Sequence, residues 1–181
     1  MTEIDYIIEK KANLFSYVEQ KTGIPILLQK KEIKKHIQSL INNPESGFSR
    51  DSSEERYEGI IYEYVIGKLL KIKKGKNISY DYLYNGKEIE FKTAFNGTLP
   101  IKGKIVGQKI MPYETAKEIY FIINRNPPFT IYKSSRDEIF EAINNNQNIK
   151  KYKPGELAGY YEKVICFIPT YLLKKETVNV I

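Results

Sequence analysis

The dipeptide Asn85-Gly86 constrains this chain more than any other feature. It separates two strand-forming runs, and the tightest hairpin turn needs positive φ at both central positions, which Asn and Gly tolerate best. A two-residue loop sets the pairing outward of it. Tyr84 faces Lys87, and each further pair keeps the same index sum, so Asp81 stands opposite Glu90 with β-carbons roughly 5 Å apart. Lys92 lies one step beyond Glu90 on the same side, because residues i and i+2 of a strand share a face. On the other side Tyr80 and Tyr82 meet Phe91 and Ile89, an apolar set that suits a core.

Directly opposed carboxylates repel, so a purely structural hairpin would not favour Asp81 across from Glu90. A divalent cation between them reverses the sign. Two carboxylates and a backbone carbonyl, completed by water and a phosphate oxygen, suit Mg²⁺. Lys92 is then placed to orient a metal-bound water or to offset charge on a phosphate under attack. The plainer alternative is a solvated strand face on which Lys92 neutralises the acids. The triplet Glu90-Phe91-Lys92 carries little by itself, since E-x-K recurs at Glu9–Lys11, Glu19–Lys21 and Glu32–Lys34. Those copies lie in helical periodicity, where i and i+2 point to different sides.

Elsewhere the apolar spacing predicts a helix over residues 2–20, a second over Ile26–Ile41 and a third over Glu54–Lys73, capped by Ser52 or Ser53 and stopped by Gly75. Residues 42–53 and Asn96–Gly107 read as loops. Strands are expected at Glu118–Arg125, Phe129–Lys133 and Lys163–Pro169, with a helix over Asp137–Asn144. Helices first and hairpin strands after indicate an α/β fold, a mixed β-sheet flanked by helices. The chain of 181 residues, 41% of them hydrophobic, fits a single domain with its own core. Within it residues 1–45 form a helical region suited to dimerisation or DNA contact, and residues 54–134 the catalytic core.

The formal charge of +7 favours a polyanionic partner. Abundant Lys, Ile, Asn and Tyr are also what AT-rich codons produce, which weakens that signal. No apolar run approaches the roughly 20 residues of a membrane span. The N-terminus lacks the order of a signal peptide, so a cytoplasmic protein is expected. The single Cys166, in an apolar run, reads as a buried inert thiol, and the single His36 excludes a histidine metal cluster. No phosphate-binding glycine loop occurs. Lys102, Lys104, Gln108 and Lys109 follow the hairpin among glycines, where they suit contact with DNA phosphates or base edges, or simple solvation.

Asp81, eight intervening residues and then Glu90-Phe91-Lys92 resembles the signature of the PD-(D/E)xK nucleases. The preceding segment Gly59–Leu70 resembles the helix placed before that hairpin, and Glu118–Arg125 a downstream strand. The spacing is most similar to small type II restriction endonucleases of the PvuII kind. Tyr80 stands where that signature has proline. The resemblance implies that Asp81, Glu90 and the carbonyl of Phe91 bind Mg²⁺, for which Mn²⁺ substitutes, and that Lys92 holds the attacking water. It also implies a helical glutamate, Glu63 by pattern, with Glu58 the alternative nearer the apolar stripe. The function expected is a Mg²⁺-dependent type II restriction endonuclease that cuts double-stranded DNA as a homodimer. A Holliday-junction or repair nuclease, or a non-catalytic basic module, are the alternatives.

Overall fold

The computed structural model describes residues 2–43, 52–74, 82–113, 115–157 and 162–179. They divide into two compact units, one helical and one built on sheets, with the boundary after Lys71 and with Asn126–Pro128 belonging to the helical unit.

In the helical unit, α1 (Glu3–Lys10) opens with a capping box in which Thr2 and Asp5 satisfy one another's backbone N–H groups. The single helix expected over residues 2–20 is two. Lys11 leaves helical geometry and α2 runs Ala12–Thr22, ended by Gly23 at φ 75°. α3 spans Ile26–Ile41, the range the periodicity gives. α4 (Glu54–Leu69) follows Ser53, which makes no side-chain cap bond. It stops short of Lys73, because Lys71 takes φ 53° and turns the chain away. Ile7, Ile8, Phe15, Val18, Ile33 and Ile37 are all buried within the chain. Tyr6, Leu27 and Leu28 of the same helices remain exposed. Gln29 is buried among them and donates to the carbonyls of Phe15 and Ile24 at 3.0 and 2.7 Å.

The second unit holds two sheets. The first has strand order β1-β2-β3-β6-β7-β10, formed by Lys73–Lys74, Tyr82–Tyr84, Lys87–Thr93, Glu118–Ile122, Ile131–Ser135 and Glu176–Val178. Only β3 and β6 run parallel; the other neighbours are antiparallel. The second sheet, fully antiparallel, has the order β5-β4-β9-β8, formed by Lys109–Pro112, Thr98–Val106, Val164–Pro169 and Lys150–Tyr152. The facing sides meet in a core of Ile119 and Phe121 from β6, Leu99 and Ile101 from β4, and Cys166 and Ile168 from β9. α5 (Arg136–Asn145) adds Ile139, Phe140 and Ile143 to it. Burial pushes the Cys166 thiol up to about 11, so it stays protonated at neutral pH. The mixed α/β class is as expected.

The segment read as a loop, Asn96–Gly107, is largely strand β4. Its glycine and proline look like breakers but occupy paired positions. Pro100 pairs with Phe167, and Gly103 lies where a β-carbon would come 2.6 Å from Ile110 Cγ2 and 3.0 Å from the Met111 carbonyl oxygen. Close approach of β5 requires glycine there. Gly107, at φ 61°, opens the two-residue turn into β5. The outer edge of β5 is partly closed by Asn144 of α5, whose side-chain amide both accepts from the N–H of Ile110 and donates to its carbonyl, each at 2.9 Å. None of the described helices is long and apolar enough to cross a membrane.

Candidate active site

The hairpin forms with the register its turn dictates. Tyr82 pairs with Ile89, Leu83 with Glu88 and Tyr84 with Lys87, while Asn85 and Gly86 take φ 49° and 74°. The constant index sum is the one derived from Asn85-Gly86. Asp81 itself lies outside the described residues. The apolar side behaves as expected: Tyr82, Ile89 and Phe91 are buried, and the rings of Tyr82 and Phe91 meet edge to face at 4.6 Å.

The polar side differs from an open, solvated face. β3 runs parallel to β6 with Glu90 beside Ile119 and Lys92 beside Phe121. Those two apolar residues belong to the core between the sheets. Glu90 and Lys92 therefore sit at the margin of that interior, with their side chains 5% and 18% exposed. A buried carboxylate costs several kcal/mol unless it is paired. Among the described residues Glu90 has two cationic partners. Oε1 takes the ammonium of Lys92, and Oε2 accepts from Arg136 Nη2 at 2.6 Å. Arg136 is itself buried at 6% side-chain exposure.

Arg136 is the site residue that sequence reasoning passed over. It reaches Glu90 because β7 lies beside β6, with Ser134 paired to Ile119, and α5 begins directly after β7. Ser135 caps that helix by accepting from the Glu138 N–H, and Arg136 is its first residue. A cation in the first turn of a helix opposes the macrodipole. That misplacement was a legible signal that Arg136 serves a nearby anion.

Glu63, the expected helical carboxylate, lies half-buried on α4 in the helical unit. Its alternative, Glu58, forms a 2.5 Å ion pair with Lys11 and so has a structural partner inside that unit. Lys102 and Lys104 lie on β4, Lys109 on β5 and Gln108 in the turn between them. The strand alternation turns the three lysines to the outer face of the second sheet, away from the core that Glu90 borders. The structure thus joins Glu90 and Lys92, adds Arg136, and keeps the four DNA-contact candidates apart from them.

The donor chemistry at Glu90 is oxygen alone, which fits a hard cation such as Mg²⁺ rather than Zn²⁺. Of Lys92 and Arg136, both paired with Glu90, Lys92 is the more exposed, at 18% against 6%. Among the described residues no three His, Cys, Asp or Glu side chains gather where they could share an ion. Comparison of the chain with protein-family models, with curated proteins and with solved structures finds no match.

Proposed function

We propose that this protein is a Mg²⁺-dependent endonuclease hydrolysing phosphodiester bonds in double-stranded DNA, with Glu90 and Lys92 at its chemical centre. The observation that carries the reading is the buried Glu90–Lys92 pair on one strand face, its carboxylate held from behind by Arg136. A water-orienting lysine needs a partner that sets its position in a partly dry site, and the Glu90 carboxylate supplies one for Lys92. The other expected metal ligands, Asp81 and the carbonyl of Phe91, are carried on the resemblance to PD-(D/E)xK nucleases. A bound Mg²⁺ would offset charge on the scissile phosphate. Arg136 keeps Glu90 Oε2 occupied and so directs Oε1 toward the site. Lys92, displaced from Oε1, orients water and faces the phosphate. A restriction-type double-strand cut further requires two such sites related by a twofold axis, hence a homodimer.

The test is cleavage of phage DNA by the intact protein with Mg²⁺, Mn²⁺, Ca²⁺ or EDTA. Discrete fragments with the first two, little cleavage with Ca²⁺ and none in EDTA are expected. Lys92→Ala, checked as folded by circular dichroism, should cut at least ~100-fold more slowly. Asp81→Ala should also abolish cleavage, while its metal-free DNA binding holds or tightens because a negative charge is removed. Full activity in EDTA, or wild-type rates in both variants, would reduce the hairpin to a structural element. Nicks confined to branched DNA would favour the junction or repair reading instead.

A further inference from the structure

The outer face of the second sheet carries a second chemical theme. Register places Lys102 beside Ile165 and Pro100 beside Phe167, then Lys150 and Tyr152 of β8 beside Phe167 and Ile165. On the β5 side, Lys104 pairs with Met111 and Lys109 with Val106. The four strands contain neither Asp nor Glu. In the helical unit Lys30, Lys34 and Lys68 are each tied to a carboxylate. Lys104, Lys109 and Lys150 are exposed and make no ion pair among the described residues.

Aromatic rings lie among these lysines. Tyr152 and Phe167 meet edge to face at 5.8 Å, and Lys150 Nζ stands 4.8 Å from the Tyr152 ring centre. At the β5 margin Lys163 Nζ stands 4.1 Å from the ring of Tyr113, which is 43% exposed. Lysines alone would suit the phosphates of a duplex. Rings on a sheet face add nothing to duplex binding, where the bases are stacked on each other. They add about 1–3 kcal/mol per base when bases are unstacked and free to lie on them.

We infer that this face binds single-stranded nucleic acid, the lysines taking phosphates and Tyr113 and Tyr152 taking bases once the ammonium groups swing to the backbone. The inference goes beyond the nuclease reading and does not depend on it, since it uses neither Glu90 nor a metal.

The experiment is fluorescence-anisotropy titration of a labelled oligo-dT of about 15 nucleotides with the intact protein in EDTA. The triple variant Lys104→Ala/Lys109→Ala/Lys150→Ala, all at exposed positions, should bind at least tenfold more weakly. Its slope of log affinity against log salt should shrink by about 2, at roughly 0.7 per lost phosphate contact. Tyr113→Leu should weaken binding roughly fivefold or more with the salt slope unchanged, and Tyr152→Leu likewise. Lys35→Ala, at an exposed position of α3 in the helical unit, should bind as wild type, and because binding is read in EDTA a failed nuclease assay and a failed binding assay are separable results. No binding, as large a loss in Lys35→Ala as in the triple variant, or insensitivity to the triple variant would each overturn the assignment. So would equal competition by polyphosphate or by duplex of the same length, because either would show charge acting without the rings.

Discussion

Arg136 shows how much a single residue of the site depends on its partners. It begins a helix, where its charge is poorly placed, and is buried with only a few per cent exposure. Both costs are offset by the ion pair with Glu90, whose Oε2 accepts from the Arg136 guanidinium. Removing one member of a buried pair strands the other, at about 3–5 kcal/mol. Arg136→Met should therefore lower stability by an amount in that range in urea unfolding, and Glu90→Gln by a comparable one. Lys92→Ala belongs on the same scale. A strand-face lysine near the surface would contribute little, but Lys92 is mostly covered and serves a buried acid, so about 1–3 kcal/mol is expected. A loss below about 0.5 kcal/mol for Arg136→Met would show that Glu90 does not depend on it.

At the level of elements, the β2–β3 hairpin and β4 make a contrast. The hairpin was legible because its turn is local: Asn85-Gly86 sets φ, φ sets the loop, and the loop sets the register of three observed pairs. β4 was hidden because its proline and glycine are breakers in isolation and fitted residues in context. Gly103 tests that explanation. A methyl group there meets Ile110 Cγ2 and the Met111 carbonyl, and the carbonyl can move only with its strand. Gly103→Ala should destabilise the protein by about 1–3 kcal/mol, despite alanine's better intrinsic conformational economy. A neutral or stabilising effect in urea unfolding would mean that β5 approaches β4 less closely than the structure has it.

For the whole molecule, the net charge of +7 is not spread evenly in its consequences. The helical unit spends several lysines on carboxylates, and these make its stability depend on acid. Lys68 beside Glu32, helped by the Tyr64 hydroxyl, holds that carboxyl below its ordinary value of 4.5. Lys34 does the same for Asp5. A carboxylate whose pKa is depressed by folding contributes stability that is present above its unfolded value and lost as pH falls toward the folded one. Melting temperature should thus hold from neutral pH to about pH 5 and drop below 4.5, the ordinary value for Glu32. Glu32→Gln should melt below wild type at pH 7, and the gap should narrow at pH 3. A gap that stays constant with pH would remove Glu32 from the acid response.

What the sequence determined by itself is whatever a few neighbouring residues can enforce. The turn chemistry of Asn85-Gly86 placed Glu90 and Lys92 on one face, and periodicity placed α3 over Ile26–Ile41. Period alone could not say what that face would meet, since alternation marks sides and not neighbours. The parallel pairing of β3 with β6 and the packing of the second sheet over that side buried the face that carries Glu90 and Lys92. They also brought Arg136, 46 residues further along, to the carboxylate. Contacts at that separation are set by how apolar surfaces from distant strands bury one another, and no local pattern encodes them.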